Sequence, residues 1–404
     1  MQGLKRFLLE DKNTHLEHLE DEIINNGTQG AKTSIEFLKS IKKMLQGGKG
    51  GSNVSVKWDG APAIFAGTNP ENGRFFVGTK SIFNATPKIN YTVSDISRNH
   101  GGALADKLAV ALKQLPSLGI KGVLQGDLLF TDDKKNAVVN GERSIVFTPN
   151  TITYAVPSTS VDMYNRIRAA KIGIIFHTSY SGKTMKGLKA SFGASVGGLR
   201  QNKNVFFDDA RYKQAQDPGF SKGEEKRFDA VIRMAEGSAY KAGAFIDKIK
   251  KDQGPLSLGV QLKTFFNTYI RAGSKIGNAK VLANNFEVFF RDRLKKEIDG
   301  KKQDKTKEKY KEILEAGMKI LRPNRQGLYF AIATYITLQT AKSLLLSKLN
   351  QIQSIGSFMR TSTGYKATNP EGYVAINKGN AVKLVDRLVF SRANFNVAKD
   401  WVRG

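Results

Sequence analysis

The spacing of apolar residues changes twice along this 404-residue chain, and these changes limit how it can fold. Between about residues 51 and 217, short segments alternate apolar and polar side chains, which is typical of half-buried β-strands. From 218 to about 360, nearly every segment has the wider period of an amphipathic helix, and after 361 the alternation returns. The sequence therefore predicts an α+β fold in which a strand-rich domain, 51–217 and 361–404, is interrupted by an all-helical insertion at 218–360.

The first 50 residues predict an N-terminal helical segment that ends at a glycine-rich break, residues 47–51. Thr14 and Glu17 have the spacing of a capping box, which predicts that a helix opens there. His15 and His18 would share one face of that helix, as two metal ligands can. Because Glu17, Glu20 and Asp21 lie beside them, a solvated helix face is the favoured interpretation.

The net charge points to a polyanionic partner. Lysine and arginine number 64 against 36 aspartates and glutamates, a formal net charge of +28. Nucleic acid is the commonest such partner, because each neutralised phosphate releases a counterion. Solubility, or a structural role beside acidic proteins, would also account for the charge. Anionic lipid is the weakest alternative, since no segment reads as a basic helix with a large aromatic face.

The absence of cysteine excludes a disulfide framework, cysteine-ligated zinc, an iron–sulfur cluster and a thiol nucleophile. Residues 1–12 are charged and lack an apolar core, so we expect no signal peptide. The longest apolar stretch, 327–341, is too short and too polar to span a bilayer and predicts a core helix. We therefore expect a cytoplasmic protein without a membrane partner, in the host cytoplasm if the chain is viral.

The tetrapeptide Lys57-Trp58-Asp59-Gly60 is the sharpest local signal. On a strand, Lys57 and Asp59 would point to one face and Trp58 to the other. Burial disfavours the charged form of a lysine, and the neutral amine is the form that acts as a nucleophile. Gly60 would let a ligand's phosphates approach the backbone. Taken alone, the four residues fit a surface turn with a charged rim better than a nucleophilic site.

Further segments follow in an order that makes the chain resemble the covalent nucleotidyltransferase superfamily: ATP-dependent DNA and RNA ligases and messenger-RNA capping enzymes. The first motif of that superfamily is Lys-x-Asp-Gly, here residues 57–60. Five later segments are similar to the superfamily's later motifs, and in chain order they are Val77-Gly78-Thr79-Lys80-Ser81, Val123-Leu124-Gln125-Gly126-Asp127-Leu128-Leu129, Ile174-Ile175-Phe176-His177, Glu371-Gly372-Tyr373-Val374 and Val382-Lys383-Leu384-Val385. In the second of these segments, Asp127 stands where the superfamily has glutamate. The resemblance covers about half of the chain.

The resemblance implies a nucleotidyltransferase (ATP-grasp-like ligase) core of antiparallel sheets around the helical insertion. In such enzymes a lysine amine attacks the α-phosphorus of ATP and expels pyrophosphate, which leaves a lysine–AMP bond. The AMP then passes to a 5′-phosphate end, and a 3′-hydroxyl displaces it and seals the strand. Each step is a phosphoryl transfer, so positioning and charge neutralisation dominate the catalysis.

The resemblance also implies a role for each lysine. Lys57 would be the nucleophile, and Lys383 would hold the α-phosphate and stabilise charge on the transferring group. Lys383 would further favour the neutral form of Lys57 through repulsion between like charges. Lys80 would contact a phosphate of ATP or the 5′-phosphate end. Asp59 would orient Lys57 or approach the metal through water.

The implied cofactors are ATP and Mg²⁺ (or Mn²⁺). Asp127 and Glu371 would ligate the metal or accept hydrogen bonds from the ribose hydroxyls. Phe176 would stack on adenine, although an ordinary core phenylalanine fits the same strand pattern. Gly60 would lie against the nucleotide.

The chain departs from the superfamily pattern after Lys383. The fifth motif has one lysine where two are usual, unless Arg387 or Lys378 substitutes. Only 21 residues follow Lys383, too few for the OB-fold that capping enzymes and most DNA ligases carry there. This favours the RNA ligases of bacteriophage type, which often attach helical domains instead.

We therefore expect an ATP-dependent polynucleotide ligase that acts on single-stranded or nicked RNA or DNA ends, with RNA-containing substrates favoured. The lysine runs of the insertion, at 301–302 and 305–311, would grip the polynucleotide backbone or form a solvated helix face. The alternatives are an ATP-dependent DNA ligase and a non-catalytic nucleic-acid-binding protein on the same scaffold.

Overall fold

A computed structural model describes residues 16–47, 52–210, 219–251, 254–350, 356–361, 364–367, 371–377 and 380–391. It is a mixed α+β structure with several β-sheets, which confirms the predicted class. The α-helices, α1 to α9 in chain order, are Glu22–Leu45, Val93–Asn99, Gly102–Gln114, Val161–Ala169, Lys222–Ile249, Leu258–Arg271, Ala279–Asp299, Asp304–Leu321 and Arg325–Leu349. The strands, β1 to β14, are Ser52–Lys57, Ala63–Thr68, Phe75–Gly78, Val123–Phe130, Lys135–Val139, Glu142–Phe147, Thr153–Pro157, Ile172–Ser181, Lys189–Phe192, Val205–Asp209, Gly356–Thr361, Gly364–Ala367, Gly372–Asn377 and Asn380–Val385.

A helical body, formed by α1 and α5–α9, contains an extended hydrophobic core. Helices α5 and α9 pack along each other, and α1 packs against both. Helix α9 contains the apolar stretch 327–341 and buries Leu328, Ile332 and Leu338, as the prediction of a core helix requires. No helix in the described parts of the chain is long and apolar enough to cross a membrane.

The N-terminal helix begins later than its sequence predicts. Leu19–Asp21 form a short 3₁₀ turn and α1 starts at Glu22, whereas Thr14 and His15 lie outside the described residues. Glu17 is not helical: its carbonyl accepts a hydrogen bond from the Lys383 N–H at 2.9 Å. Pairing with the exposed edge of a sheet satisfies backbone groups that a helix start would leave open, and this pairing replaces the predicted helical turn.

Sheet A, in the order β1–β13–β14, lies against the helical body. Its strands are antiparallel, with Lys57 opposite Gly372 and Val374 opposite Lys383. Because side chains alternate along a strand, one face of the sheet enters the helical core. The residues on that face are Val54, Tyr373, Ala375, Val382 and Leu384. The other face, with Lys383, is left to form a site.

Sheet B has the order β10–β8–β4–β2–β3, with β9 paired to β8. Strands β8 and β10 are parallel and the other pairs are antiparallel. One face of the sheet packs on α3 through residues such as Ile64, Leu128 and Leu108. The opposite face looks towards sheet A.

Sheet C is antiparallel, in the order β12–β11–β7–β6–β5. Its core also includes Ile167 of α4, together with Val385 and Phe390 from the end of the chain. Strand β11 begins at Gly356, five residues before the predicted return of strand structure at 361. The chain thus leaves the sheets after β10, builds helices α5–α9, and returns to complete sheets A and C.

Candidate active site

A cleft of about 330 Å³ lies between the facing sides of sheets A and B. This volume is within the range that small-molecule ligands occupy. Its polar lining consists of Ser55, Lys57, Lys80, Gln125, Asp127, His177, Thr178 and Lys383. Its rings are Trp58, Phe65, Tyr180 and Phe192. Four of the predicted site residues therefore line a single cleft, namely Lys57, Lys80, Asp127 and Lys383. Glu371 reaches the same site through its ion pair with Lys57.

Lys57 ends β1 and forms an ion pair with Glu371, which immediately precedes β13. Burial alone would lower the pKa of Lys57, but the carboxylate of Glu371, helped by Asp127 and Asp59, outweighs burial and raises it. Lys57 is therefore an ammonium ion in this arrangement. The expectation that burial and Lys383 make its amine neutral is wrong for this arrangement, because the neighbouring carboxylates dominate.

The Glu371-Gly372 pair places a carboxylate at the end of Lys57. Gly372 has a φ of +154°, and a Cβ there would lie 2.4 Å from the Leu384 carbonyl oxygen. Only glycine allows β13 to approach β14 this closely. Burial raises the pKa of Glu371 despite the attraction of Lys57. Glu371 can therefore accept a proton more readily than an exposed glutamate.

Lys383 brings a second amine into the cleft from the middle of β14. Burial, and then repulsion from Lys57, lowers its pKa. The cleft thus contains two lysines with opposite shifts, one held as a cation by carboxylates and one closer to neutrality.

Asp127 and His177 form the facing wall on β4 and β8. The Nε2 atom of His177 lies 3.5 Å from Asp127 Oδ1, and its Nδ1 lies 2.8 Å from Thr178 Oγ1. Lys80 stands at the start of the turn Lys80–Phe83 and lines the same cleft. Carboxylate, imidazole and amine groups thus face the Lys57–Glu371 pair.

Asp59 does not line the cleft. It is buried and accepts hydrogen bonds from Asn150 Nδ2 at 2.7 Å, from the Thr151 N–H at 2.7 Å and from the Ile152 N–H at 2.8 Å. The Thr151 hydroxyl donates to it as well, at 2.6 Å. These hydrogen bonds connect the segment after β1 to the loop before β7. These contacts are with residues 150–152, so the two roles considered for Asp59, orienting Lys57 and approaching the metal through water, stay predictions.

Replacing Asp59 with asparagine should destabilise the protein. The carboxylate accepts four hydrogen bonds; asparagine could keep an oxygen at the Oδ2 position, but it loses the negative charge, and its NH₂ would then face Asn150 Nδ2. Each hydrogen bond to a charged group contributes about 1.5–3 kcal/mol, so we expect a loss of about 2 kcal/mol or more in the free energy of unfolding. Urea denaturation of Asp59→Asn measures it, with the exposed Asp106→Asn as control. A loss equal to that of the control would contradict the role given to Asp59.

Gly60 has a packing role that differs from the predicted one. A Cβ at this position would lie 2.6 Å from Asp127 Cβ and 2.9 Å from the Leu128 carbonyl oxygen. The missing side chain therefore lets the loop lie against β4. The space beside Gly60 is filled by the protein, and not by open room for phosphates.

Phe176 is a core residue, so the prediction that it stacks on adenine is wrong in this structure. Its side chain is completely buried with Ile174 on the face of sheet B that packs on α3. The neighbouring Ile175 and His177 point into the cleft, because successive side chains on a strand alternate between faces. With Phe176 assigned to the core, the alternation of side chains along the strand predicts that His177 faces the cleft.

Two polar residues that were not predicted to be part of the site, Gln125 and Tyr180, lie at the same wall. The hydroxyl of Tyr180 donates to Gln125 Oε1 at 2.8 Å, and burial raises the pKa of Tyr180 to about 12. Because Oε1 of Gln125 already accepts this hydrogen bond, its Nε2 can donate one to a ligand. Aromatic rings and an amide donor in one cleft are features that can hold a planar heterocycle.

Arg387 does not replace the missing second lysine of the fifth motif. It is buried, forms an ion pair with Asp21 at 3.3 Å and donates to the Tyr335 hydroxyl and to Asn267. These partners hold it between the helical body and the N-terminal turn. Lys378, the other candidate, lies outside the described residues.

The comparisons with known proteins give one match. A family model described as "Family of unknown function (DUF6267)" matches residues 13–399. The chain belongs to this family. No curated protein and no solved structure matches it.

A magnesium site at Asp127 and Glu371 of this DUF6267 chain stays a prediction. Among the described residues, no group of three or more His, Cys, Asp or Glu side chains is arranged to hold a metal. Asp127 and Glu371 are nevertheless both close enough to raise the pKa of Lys57. Mg²⁺ is commonly held by one or two carboxylates together with waters and substrate phosphates. These two residues would hold it in that way.

His18, next to Lys383 in the edge pairing, should make stability depend on pH. Its Nδ1 is buried without a hydrogen-bond partner in the described part of the chain. Burial, followed by the cations Arg387, Lys342, Lys383 and Lys57, lowers its pKa well below the usual range. As the pH drops below about 6.5, His18 becomes protonated in the unfolded chain but stays neutral in the folded chain. The free energy of unfolding therefore falls with the pH.

Between pH 6.5 and 5.5, we expect His18 to reduce the free energy of unfolding by up to about 1.4 kcal/mol, which is the largest change that one proton can cause over one pH unit. Denaturant titrations of the wild type and His18→Gln at both pH values measure this. Burial also lowers the pKa of His100, so His100→Gln serves as the matched variant. Identical pH slopes for the wild type and His18→Gln would contradict the assignment.

Proposed function

We propose that the chain is an ATP-dependent polynucleotide ligase that joins 5′-phosphate and 3′-hydroxyl ends through a covalent Lys57–AMP intermediate. The observation that carries the proposal is that charged residues far apart in the chain meet at one cleft. Lys57 and Glu371 are 314 residues apart in the chain and form an ion pair, and Asp127 and Lys383 face the same cleft. A surface turn at residues 57–60 would not require distant residues of these types to meet.

The first step of the proposed reaction uses the Lys57–Glu371 pair. The Nζ atom of Lys57 forms a bond to the α-phosphorus of ATP, and the bond from that phosphorus to the pyrophosphate oxygen breaks. Because Lys57 is an ammonium ion beside Glu371, it must first lose a proton. Glu371 accepts a hydrogen bond from Nζ and has a pKa raised by burial, so it is placed to take that proton.

The remaining groups of the cleft have roles that follow from their charges. Lys383 would contact the α-phosphate, and Lys80 would contact an outer phosphate or the 5′-phosphate end. Mg²⁺ would supply further neutralisation of the leaving pyrophosphate. The base would lie among Trp58, Phe192 and His177, with the Gln125 amide as donor. AMP would then pass to the 5′-phosphate, and the 3′-hydroxyl would displace it.

The net charge of +28 supports a polynucleotide as the acceptor of AMP. We propose RNA or RNA-containing ends, single-stranded or nicked, as the favoured substrates. The test is a sealing assay on matched nicked duplexes of RNA, DNA and hybrid composition, each with a labelled 5′-phosphate. We expect ATP- and Mg²⁺-dependent sealing of an RNA-containing nick.

Each other outcome of this assay is informative. Sealing of DNA nicks alone would overturn the substrate preference and favour a DNA ligase. A well-folded protein that binds the duplexes, seals none and never becomes labelled by ATP would contradict the ligase proposal. It would instead favour a nucleic-acid-binding protein on this scaffold.

A further inference from the structure

A second concave site lies in the helical body, on helices α7 and α8 and the turn that follows α8. This groove has a volume of about 530 Å³. Four of its lining residues are exposed cations, namely Arg291, Lys295, Lys319 and Arg322. Glu315 is the one carboxylate among the lining residues. The groove therefore carries a net positive charge.

The cations are arranged in rows along the two helices. Arg291 and Lys295 are four residues apart on α7, and Lys319 follows Glu315 by four residues on α8, with Arg322 at its end. Residues at this spacing lie on one face of a helix, one turn apart. The two rows thus face a common groove instead of projecting in all directions.

Most of the cations in the groove are not neutralised by the protein. Within the described ranges, Lys295, Lys319 and Arg322 have no ion pair, and Arg291 contacts only its neighbour Asp292, at 3.5 Å. In the predicted lysine run, three of the six lysines are paired with carboxylates of the protein. Lys301 pairs with Glu297 at 3.2 Å, Lys307 with Asp304 at 3.8 Å, and Lys311 with Glu308 at 3.2 Å. The cations of the groove are therefore available to a polyanion.

The groove's chemistry favours an extended backbone over a small anion or a base. Its apolar residues are Leu314, Met318 and Pro323, so it has no aromatic ring on which a base could stack. Its cations are exposed, and none is buried as in a specific pocket for a small anion. A chain of phosphates with sugars between them matches a charged rim over an apolar floor.

We propose that this groove binds the sugar–phosphate backbone of a polynucleotide. The nature of the polynucleotide rests on the proposed function, but the binding does not depend on the chemistry at Lys57. The groove would hold the strand independently of its sequence, because phosphate contacts carry no base information.

The test compares two double variants with equal changes in charge. Lys319→Gln/Arg322→Gln removes two cations from the groove, and Lys307→Gln/Lys311→Gln removes two from the same helix outside it. Binding of a fluorescent single-stranded RNA is measured by anisotropy over a range of salt concentrations, without ATP. We expect the groove variant to bind about tenfold more weakly at low salt. The slope of log K against log salt should decrease by about 1.4, the value for two single-strand phosphates, while the control stays within about twofold of wild type.

Equal weakening in the two variants would reduce the effect to net charge and overturn the proposal. So would a wild type that does not bind RNA, or a groove variant with an unchanged salt slope. None of the four substituted positions is buried, and thermal unfolding checks that both variants remain folded. Labelling by ATP is measured separately and should be equal in both variants. A wild type that binds RNA through the groove but never becomes labelled would overturn the ligase and leave the groove standing.

Discussion

Replacing Lys57 with alanine is expected to abolish the covalent labelling of the protein by ATP. The side chain supplies the nitrogen that forms the bond to phosphorus, and no other described lysine pairs with Glu371. Loss of a nucleophile typically reduces the rate by a factor of about 10⁴–10⁶. With α-labelled ATP and Mg²⁺, the wild type should carry label on a denaturing gel and Lys57→Ala should carry none.

Two further variants distinguish chemistry from structure. Lys57→Arg keeps a positive charge beside Glu371 but offers a guanidinium, which remains protonated and is no nucleophile. It should therefore remain folded and unlabelled. Lys383→Met tests the other amine, whose pKa is lowered, and should retain labelling at a rate about 10²–10³-fold lower. Label that persists in Lys57→Ala and disappears in Lys383→Met would assign the nucleophile to Lys383.

Breaking the buried ion pair between Glu20 and Lys342 is expected to give the largest loss of stability. Lys342 Nζ lies 2.7 Å from both carboxylate oxygens of Glu20, and both side chains are almost completely buried. Removing one partner leaves an unpaired charge in the interior, which costs about 3–5 kcal/mol. Lys342→Met should show this loss in guanidinium denaturation.

A matched pair of controls separates burial from pairing. Lys39 and Glu236 form an exposed ion pair at 2.6 Å, so Lys39→Met should cost less than about 1 kcal/mol. The double variant Glu20→Met/Lys342→Met removes both buried charges and should recover most of the lost stability. A double variant as unstable as Lys342→Met would show that shape, and not the unpaired charge, determines the loss.

The periodicity of the sequence predicts the elements well where one face of each is buried. Strand β4 and helix α9 lie where apolar alternation and apolar helical spacing place them, because burial enforces each pattern. The convergence of Lys57, Asp127, Glu371 and Lys383 was predicted only through the order of motifs. Periodicity within a segment carries no information about which strands become neighbours.

The errors have a common physical origin in long-range contacts. Phe176 was assigned to the cleft although a shift of one residue on a strand moves a side chain to the other face. Glu20 and Asp21 were expected on a solvated helix, but Lys342 and Arg387 neutralise them from more than 300 positions away. The protonation of Lys57 likewise depends on Glu371. Neither the burial of these charges nor their partners can be read from local sequence.

The most direct test of the central claim is to locate the AMP. The wild type is incubated with ATP and Mg²⁺, its intact mass is measured, and its peptides are mapped by tandem mass spectrometry. The account predicts one AMP per chain, bonded to Lys57. A fully folded chain with no added mass, or with AMP on any residue other than Lys57, would contradict it.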